Sequence, residues 1–357
     1  MLKKVLIILF SFVLLSGCSK KDDVEEVSFL SWGSITETAI LKDIINNFEL
    51  ENPSIKINFI HVPQNYFQKL HLLIASNTMP DIIFINNLYL PLYQKYLLDL
   101  SGIIDKSEFF SQAINCLSYE EKLLAVPRDV SNLVLYINTD KVNLNNNKIK
   151  TLDEMLDLLD KAYSKGSWGI SFEEDVFFAL PYLSYFGENF DEKFDPQSSK
   201  GLKFYKSLKD EYKVAPTKSE IGSSTTAQMF LDEKLIMYLS GRWMYPKISE
   251  KAKFNWIVIP FPQGAQMNPC DSSGWAISNT SKHKEASIKF VQYLSNNQNS
   301  NFFTKTGLIV PARKESVNFL NNLEHNEKAF IEALEQSKAN NIFKNYKKLA
   351  DKINKTF

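Results

Sequence analysis

The sequence predicts an α/β protein of two lobes, and three observations carry that expectation. Apolar spacing alternates between period two and period 3.6 from Val27 to Asn86, giving a β-α-β-α-β order. The pattern restarts as a second unit near residue 130. The chain has 357 residues, more than a single hydrophobic core comfortably holds. Alternating strands and helices favour a parallel sheet covered on both faces and joined by right-handed crossovers. In open sheets of that kind ligands bind at the carboxyl ends of the strands.

The N-terminus is read first as a targeting segment. Lys3 and Lys4 precede an apolar run from Val5 to Leu15. That run is about half the ~20 residues a membrane-spanning helix needs. A basic start, a short apolar middle and small residues at the end are the layout of an export signal. Leu15-Ser16-Gly17-Cys18 resembles the bacterial lipobox, whose cysteine is lipidated and becomes the first residue after cleavage. The expected order is therefore a signal peptide over 1–17, a lipid-anchored tether over 18–26, and a working part from Val27. Several acyl chains on one cysteine hold firmly, because each buried methylene contributes about 0.8 kcal/mol.

In the first unit, "VSFLSW" reads as a strand and "ETAILKDIINNFELENP" as a helix. Ile40, Leu41, Ile44, Ile45 and Phe48 share one face of that helix, which stops before Pro53. "SIKINFIHV" alternates as a strand, "YFQKLHLLIASNTMP" returns to helical spacing, and "DIIFIN" is a short buried strand. Trp32-Gly33-Ser34 and Asn86-Asn87 end the first and third strands. The second unit holds a helix at "TLDEMLDLLDKAYS", an aromatic helical stretch from Phe177 to Phe186, and strands at "KLIMYLSGRW", "FNWIVIPFP" and "GWAIS". A helix at "KHKEASIKFVQYLS" follows, and Lys328 to Phe357 reads as helix with a basic end.

Composition narrows the function. Lys+Arg and Asp+Glu stand at 41 each, so there is no electrostatic case for nucleic acid. Aromatics reach 13%, with 26 Phe and 15 Tyr, and most must be core filler. Beyond Cys18 the cysteines are Cys116 and Cys270, which could pair in an exported chain but form no dense framework. None of the four histidines stands at metal-ligand spacing, and no GxSxG, GxGxxG or Walker motif occurs. No cofactor or metal is expected. A two-carboxylate glycan hydrolase has no motif to search for and stays open as an alternative, as does a surface adhesin.

Five blocks then carry a resemblance. "MPDIIFIN", "EKLLAVPRDVSNLVLYINTDKV", "MFLDEKLIMYLSGRWM", "DSSGWAISNTSKHKEASIKFVQYLS" and "GLIVPAR" run in order over nearly the whole exported part. Together they resemble the family 1 extracellular solute-binding proteins of ABC transporters, the sugar-binding, maltose-binding-protein-like family. The resemblance implies the periplasmic-binding-protein-like fold, two α/β lobes joined by hinge crossings with the ligand in the cleft. It puts the crossings near 129–132, 272–275 and 310–312, with lobe 1 over 27–130 plus 274–310 and lobe 2 over 131–273 plus 311–357. It also implies a monomeric receptor that hands a carbohydrate to ABC permease subunits, held at the membrane through lipidated Cys18. A neutral mono- or oligosaccharide is expected, with a sugar phosphate as the alternative ligand.

A sugar offers hydroxyls around its rim and apolar C–H patches on its faces, so its site wants aromatic faces and in-plane polar groups. Trp243 in "GRW" corresponds to a stacking tryptophan of the family, Trp275 falls at a crossing, and Phe177 matches a stretch that supplies a stacking aromatic. Trp32 ends the first strand; Ser34 and Glu37 follow it, either lining the cleft or lying in a cap made by Thr36 or Thr38. Asn86 and Asn87 stand where many family members carry an acid, and amides suit hydroxyl pairs. Arg128 and Asp129 either pair with each other or clamp hydroxyls, and Arg242 offers a second fork beside Trp243. Asp81 is read as a turn residue, and Trp168 and Trp256 as core.

Overall fold

The structure, a computed structural model, describes residues 24–144, 148–163, 167–320, 324–340 and 342–357. The expected signal peptide and Cys18 lie outside the described residues. Among the described residues thirteen strands run in chain order: β1 Glu25–Ser31, β2 Ile55–His61, β3 Ile82–Asn86, β4 Ser118–Tyr119, β5 Lys122–Leu123, β6 Val126–Ser131, β7 Val134–Asn138, β8 Trp168–Ile170, β9 Leu235–Ser240, β10 Trp256–Pro260, β11 Asn268–Ile277, β12 Val310–Pro311 and β13 Ser337–Ala339. β1 starts two residues before the expected Val27, because Glu25 and Glu26 already pair with Ile55 and Lys56.

A seven-stranded sheet has the order β12-β6-β11-β3-β1-β2, with β13 beside the start of β11. β1 pairs in parallel with β2 and with β3, as the β-α-β-α-β pattern requires. β11 then joins β3 and β6 antiparallel, so the sheet is mixed. The three segments expected as crossings run side by side: Val130 pairs with Ser272 on one flank and Val310 on the other. The register slips between Ser273 and Gly274. A Cβ on Gly274 would sit 2.1 Å from the Val126 carbonyl oxygen, so only glycine lets the two strands approach there.

A second sheet of four strands has the order β10-β7-β9-β8. Along β7 and β10 the residues alternate between two hydrophobic clusters, as the pleat dictates. Val134, Tyr136, Trp256 and Val258 point to a core shared with the larger sheet. Leu135, Ile137 and Ile259 point to a separate one, packed with the helices Leu152–Tyr163, Val176–Tyr185, Lys200–Asp210 and Tyr346–Asn354. Trp256 is core; Trp168 is half-buried against the larger cluster.

Two local expectations are corrected. The stretch from Lys328 is not one helix: it divides into Ala329–Glu335, β13 and Tyr346–Asn354. Ser337 to Ala339 have no strand propensity of their own and are recruited by the open edge of Asn268 to Cys270. The helix Ile35–Glu51 is capped by Ser34, not by Thr36 or Thr38. Thr38 turns instead to His61, at 3.2 Å. Asp81 does hold a turn: it accepts from Ser28 N–H (2.9 Å), Ser28 Oγ (2.6 Å) and Ser281 Oγ (2.6 Å), tying β1 to the segment after β11.

Candidate ligand-binding cleft

Trp32 leaves the carboxyl end of β1 half-buried, wedged edge-on against Phe84 (4.3 Å between ring centroids), Tyr66 (4.7 Å) and Phe67 (5.2 Å). Two residues on, Ser34 and Glu37 form a reciprocal cap. Ser34 Oγ accepts from the Glu37 N–H at 3.2 Å, and Glu37 Oε2 accepts from the Ser34 N–H at 2.8 Å. That leaves Glu37 Oε1 to receive Arg128 of β6, at 3.1 Å.

Arg128 is the hub of the first wall. Its Nε donates to Asp129 Oδ2 at 2.7 Å, and its guanidinium lies over the Phe84 ring at 4.3 Å, with Phe303 at 5.4 Å on another side. Two carboxylates and two aromatic faces around one buried guanidinium is a strong cationic site. The two acids respond differently. Burial would raise the Glu37 carboxyl, but the charge of Arg128 and the cap bonds from Ser34 outweigh it, and the group is held below the usual glutamate range. Asp129 is more deeply enclosed, and burial pushes its carboxyl up despite Arg128.

The opposite wall follows β9. Gly241, Arg242 and Trp243 turn through a 3-10 segment, Arg242–Met244. A Cβ on Gly241 would stand 1.9 Å from the Trp243 ring, so the indole folds back over a position only glycine can occupy. Trp243 remains 37% exposed, unusual for so large an apolar ring, and Phe177 lies 6.4 Å away at the start of its helix. Arg242 is buried. It pairs with Glu327 and donates to the carbonyls of Ile309 and Thr304, the latter at 3.2 Å. Its Nε has no hydrogen-bond partner among the described residues.

Trp32, Glu37, Arg128, Asp129, Arg242 and Trp243 line one cavity of about 240 Å³, together with Val130, Ser131, Ser273 and Leu308 to Val310. Six expected residues therefore meet. The other five do not line it. Ser34 caps the helix at the rim, and Phe177 stands behind Trp243. Trp275 is 1% exposed, packed between Phe84 (6.2 Å) and Phe303 (6.0 Å). Asn86 is half-buried with its Oδ1 unpaired. Asn87 is buried, donating to Asp271 Oδ1 at 2.7 Å and accepting from the Ser272 N–H at 3.2 Å.

Sequence reasoning missed Glu327, Thr304 and Asp271. Nothing distinguishes Glu327 from the chain's other acids; only the need of buried Arg242 for a counter-charge would have pointed to it. A larger cavity of about 310 Å³, between Leu180–Asp191 and Lys338–Asn340, holds none of the expected residues. Its Glu188 is spent on the N-terminus of the helix Lys200–Asp210, where it accepts from Ser199 Oγ at 2.5 Å. Among the described residues no cluster of three metal-capable side chains occurs, and no helix is long and apolar enough to cross a membrane.

Two sheets, with an aromatic and charged cavity beside the adjacent strands β6, β11 and β12, give a two-lobed α/β fold of the cleft-binding class. The chain belongs to the bacterial extracellular solute-binding proteins, whose family pattern it matches over residues 43–331. It is 24% identical over 319 residues to the multiple sugar-binding protein of Streptococcus mutans, covering 79% of this chain and 75% of that one. The fold is similar to an ABC substrate-binding protein of Listeria monocytogenes in complex with cycloalternan, with TM-score 0.80, 22% identity, and 93% and 92% of the two chains covered. It is also similar to the GacH receptor of Streptomyces glaucescens, with TM-score 0.78, 22% identity, and 92% and 91% covered.

Proposed function

We propose that the chain is a lipid-anchored extracytoplasmic receptor of an ABC importer that captures a neutral carbohydrate between its lobes and delivers it to the permease. The observation that carries this reading is the exposed Trp243 facing a cavity floored by Glu37, Arg128 and Asp129. An aromatic face takes the apolar side of a sugar ring, and fixed charged groups take its hydroxyls. The relatives' names, a multiple sugar-binding protein and receptors crystallised with cycloalternan or acarbose, support a carbohydrate class.

In this reading the lobes are 27–130 plus 274–310 and 131–273 plus 311–357, and β6, β11 and β12 carry the hinge. Ligand favours closure because it touches Trp32 and Glu37 on one lobe and Trp243 on the other; contact with one lobe alone shifts nothing. Cys18 holds the receptor at the membrane. A thermal-shift screen of the exported part against neutral oligosaccharides and sugar phosphates tests the function. At least one neutral sugar should raise the melting temperature in a saturable way, and the absence of any stabilising sugar would reject it.

One observation favours a second reading, a glycan hydrolase. Glu37 and Asp129 share a cavity and their carboxyls are pushed in opposite directions, as in acid–base pairs. Against it, Arg128 bridges the two acids and occupies oxygens that a proton-transfer step would need. Cleavage of a bound oligosaccharide, abolished by Glu37→Gln, would establish the hydrolase.

A further inference from the structure

We propose that Cys116 and Cys270 form a reversible disulfide that staples the helix Ser111–Cys116 to β11 beside the crossing strands. The two cysteines lie 154 positions apart in sequence, yet the fold brings them together: Cys116 Sγ donates to the Cys270 carbonyl oxygen at 3.2 Å. Both are buried, 5% and 1% exposed, and both are free thiols in this structure. Cys18 aside, which the proposed lipid anchor takes up, they are the only cysteines of the chain. The family works outside the cell, where disulfides persist once formed.

The surroundings decide when the bond can close. The neighbouring thiol and burial hold the Cys116 proton well above the usual cysteine range, so Cys116 carries almost no thiolate in the folded chain, and Cys270 beside it is 1% exposed. Oxidation therefore belongs to the folding chain or to local opening, not to the packed core. One cysteine, as thiolate, attacks the disulfide of an envelope thiol–disulfide oxidoreductase or a small-molecule disulfide and forms a mixed disulfide. The other then displaces it. Two cysteine thiols lose two protons and two electrons, and the oxidant's disulfide becomes two thiols.

The staple fixes the approach to the crossing without touching the cavity. Cys270 pairs with Ala339 of β13, and its carbonyl also accepts from the Asn340 N–H at 2.9 Å. The cavity lining takes only Ser273 from β11. The oxidised chain should thus resist unfolding while its cleft stays unchanged, independent of which ligand it holds. Closing so long a loop also restricts the unfolded chain strongly.

The test uses the full chain isolated from the cell envelope without reductant, denatured in guanidinium with N-ethylmaleimide, digested and analysed by mass spectrometry. A linked Cys116–Cys270 peptide that resolves on reduction is expected. Reduction should lower the melting temperature by roughly 4 °C or more. The Cys116→Ser/Cys270→Ser variant should melt like reduced wild type and ignore reductant. If the isolated chain carries both thiols free, refolding with oxidised glutathione follows; a linked peptide then still supports the pair. Thiols that stay free after that step, or a bridge to another chain, overturn the proposal. So does a wild type whose melting temperature does not move on reduction.

Discussion

Arg128 and Arg242 were indistinguishable as sequence letters, two forks beside candidate site residues, and the fold gives them different work. Arg242 is committed to Glu327 and two carbonyls, which anchors the turn that presents Trp243. Arg128 keeps its charge at the cavity, shared between Glu37 and Asp129. Trp243→Ala should therefore weaken sugar binding at least tenfold with little loss of stability. Lost stacking costs about 0.5–1.5 kcal/mol beyond the buried area, and ~1.4 kcal/mol is one decade. Calorimetry paired with a melting curve checks it; unchanged affinity with a collapsed melt would make Trp243 a core residue. A second residue-scale prediction follows from the acids. Glu37 is held below its ordinary value of 4.5, so its contribution is full above that value and is lost as pH falls through the lower folded value. Asp129 is raised, so its burial penalty is relieved by acid, the opposite sign. Glu37→Gln removes the first effect and also eases the second, because the Glu37 charge is one of the causes that raise the Asp129 carboxyl. Its melting temperature should lie below wild type near neutrality and converge on it in acid; curves that stay parallel would show that the pair is not coupled to folding.

At the scale of elements, what was legible followed local rules. Ile44, Ile45 and Phe48 announce the first helix and all three are buried; Ile82 to Ile85 announce β3, and those four residues have no exposed surface. What was not legible depended on partners distant in sequence. β13 exists because β11 leaves an edge for it, and no pattern in Ser337 to Ala339 says so. By residue type Thr36, Thr38 and Ser34 all satisfy the same capping rule. Only Ser34 also stands three residues before Glu37, the spacing of a reciprocal cap. That cap joins fold to site: Ser34 fixes Glu37, and Glu37 orients Arg128. Ser34→Ala should cost about 0.5–2 kcal/mol in stability and also weaken ligand binding, because a loosened Glu37 no longer holds the guanidinium. Stability lost with affinity intact would confine the cap to the helix.

On the scale of the whole molecule, two predictions concern how the receptor is held and what it holds. Cys18→Ala should block lipidation and leave the chain either uncleaved or released, since no helix among the described residues is long and apolar enough to hold a membrane. Detergent phase partitioning checks this, and equal partition of wild type and variant into the aqueous phase would remove the anchor. The ligand's charge follows from the cleft's own balance. Arg128 and Arg242 face Glu37, Asp129 and Glu327, two positive groups against three negative, and each arginine is already paired. A phosphate would have to displace a carboxylate from a buried guanidinium, exposing that carboxylate to uncompensated burial. A neutral sugar need only add hydroxyls to groups already fixed in direction. Salt separates the two cases, because a charged ligand steered into the cleft would lose affinity as the screening length falls to about 3 Å at 1 M. Stacking and directional hydrogen bonds are screened little. Titration of the bound sugar at low and high salt should give dissociation constants within a few-fold of each other. A tenfold or greater loss at high salt would make the ligand anionic and turn Arg128 from a strut between two acids into its primary anchor.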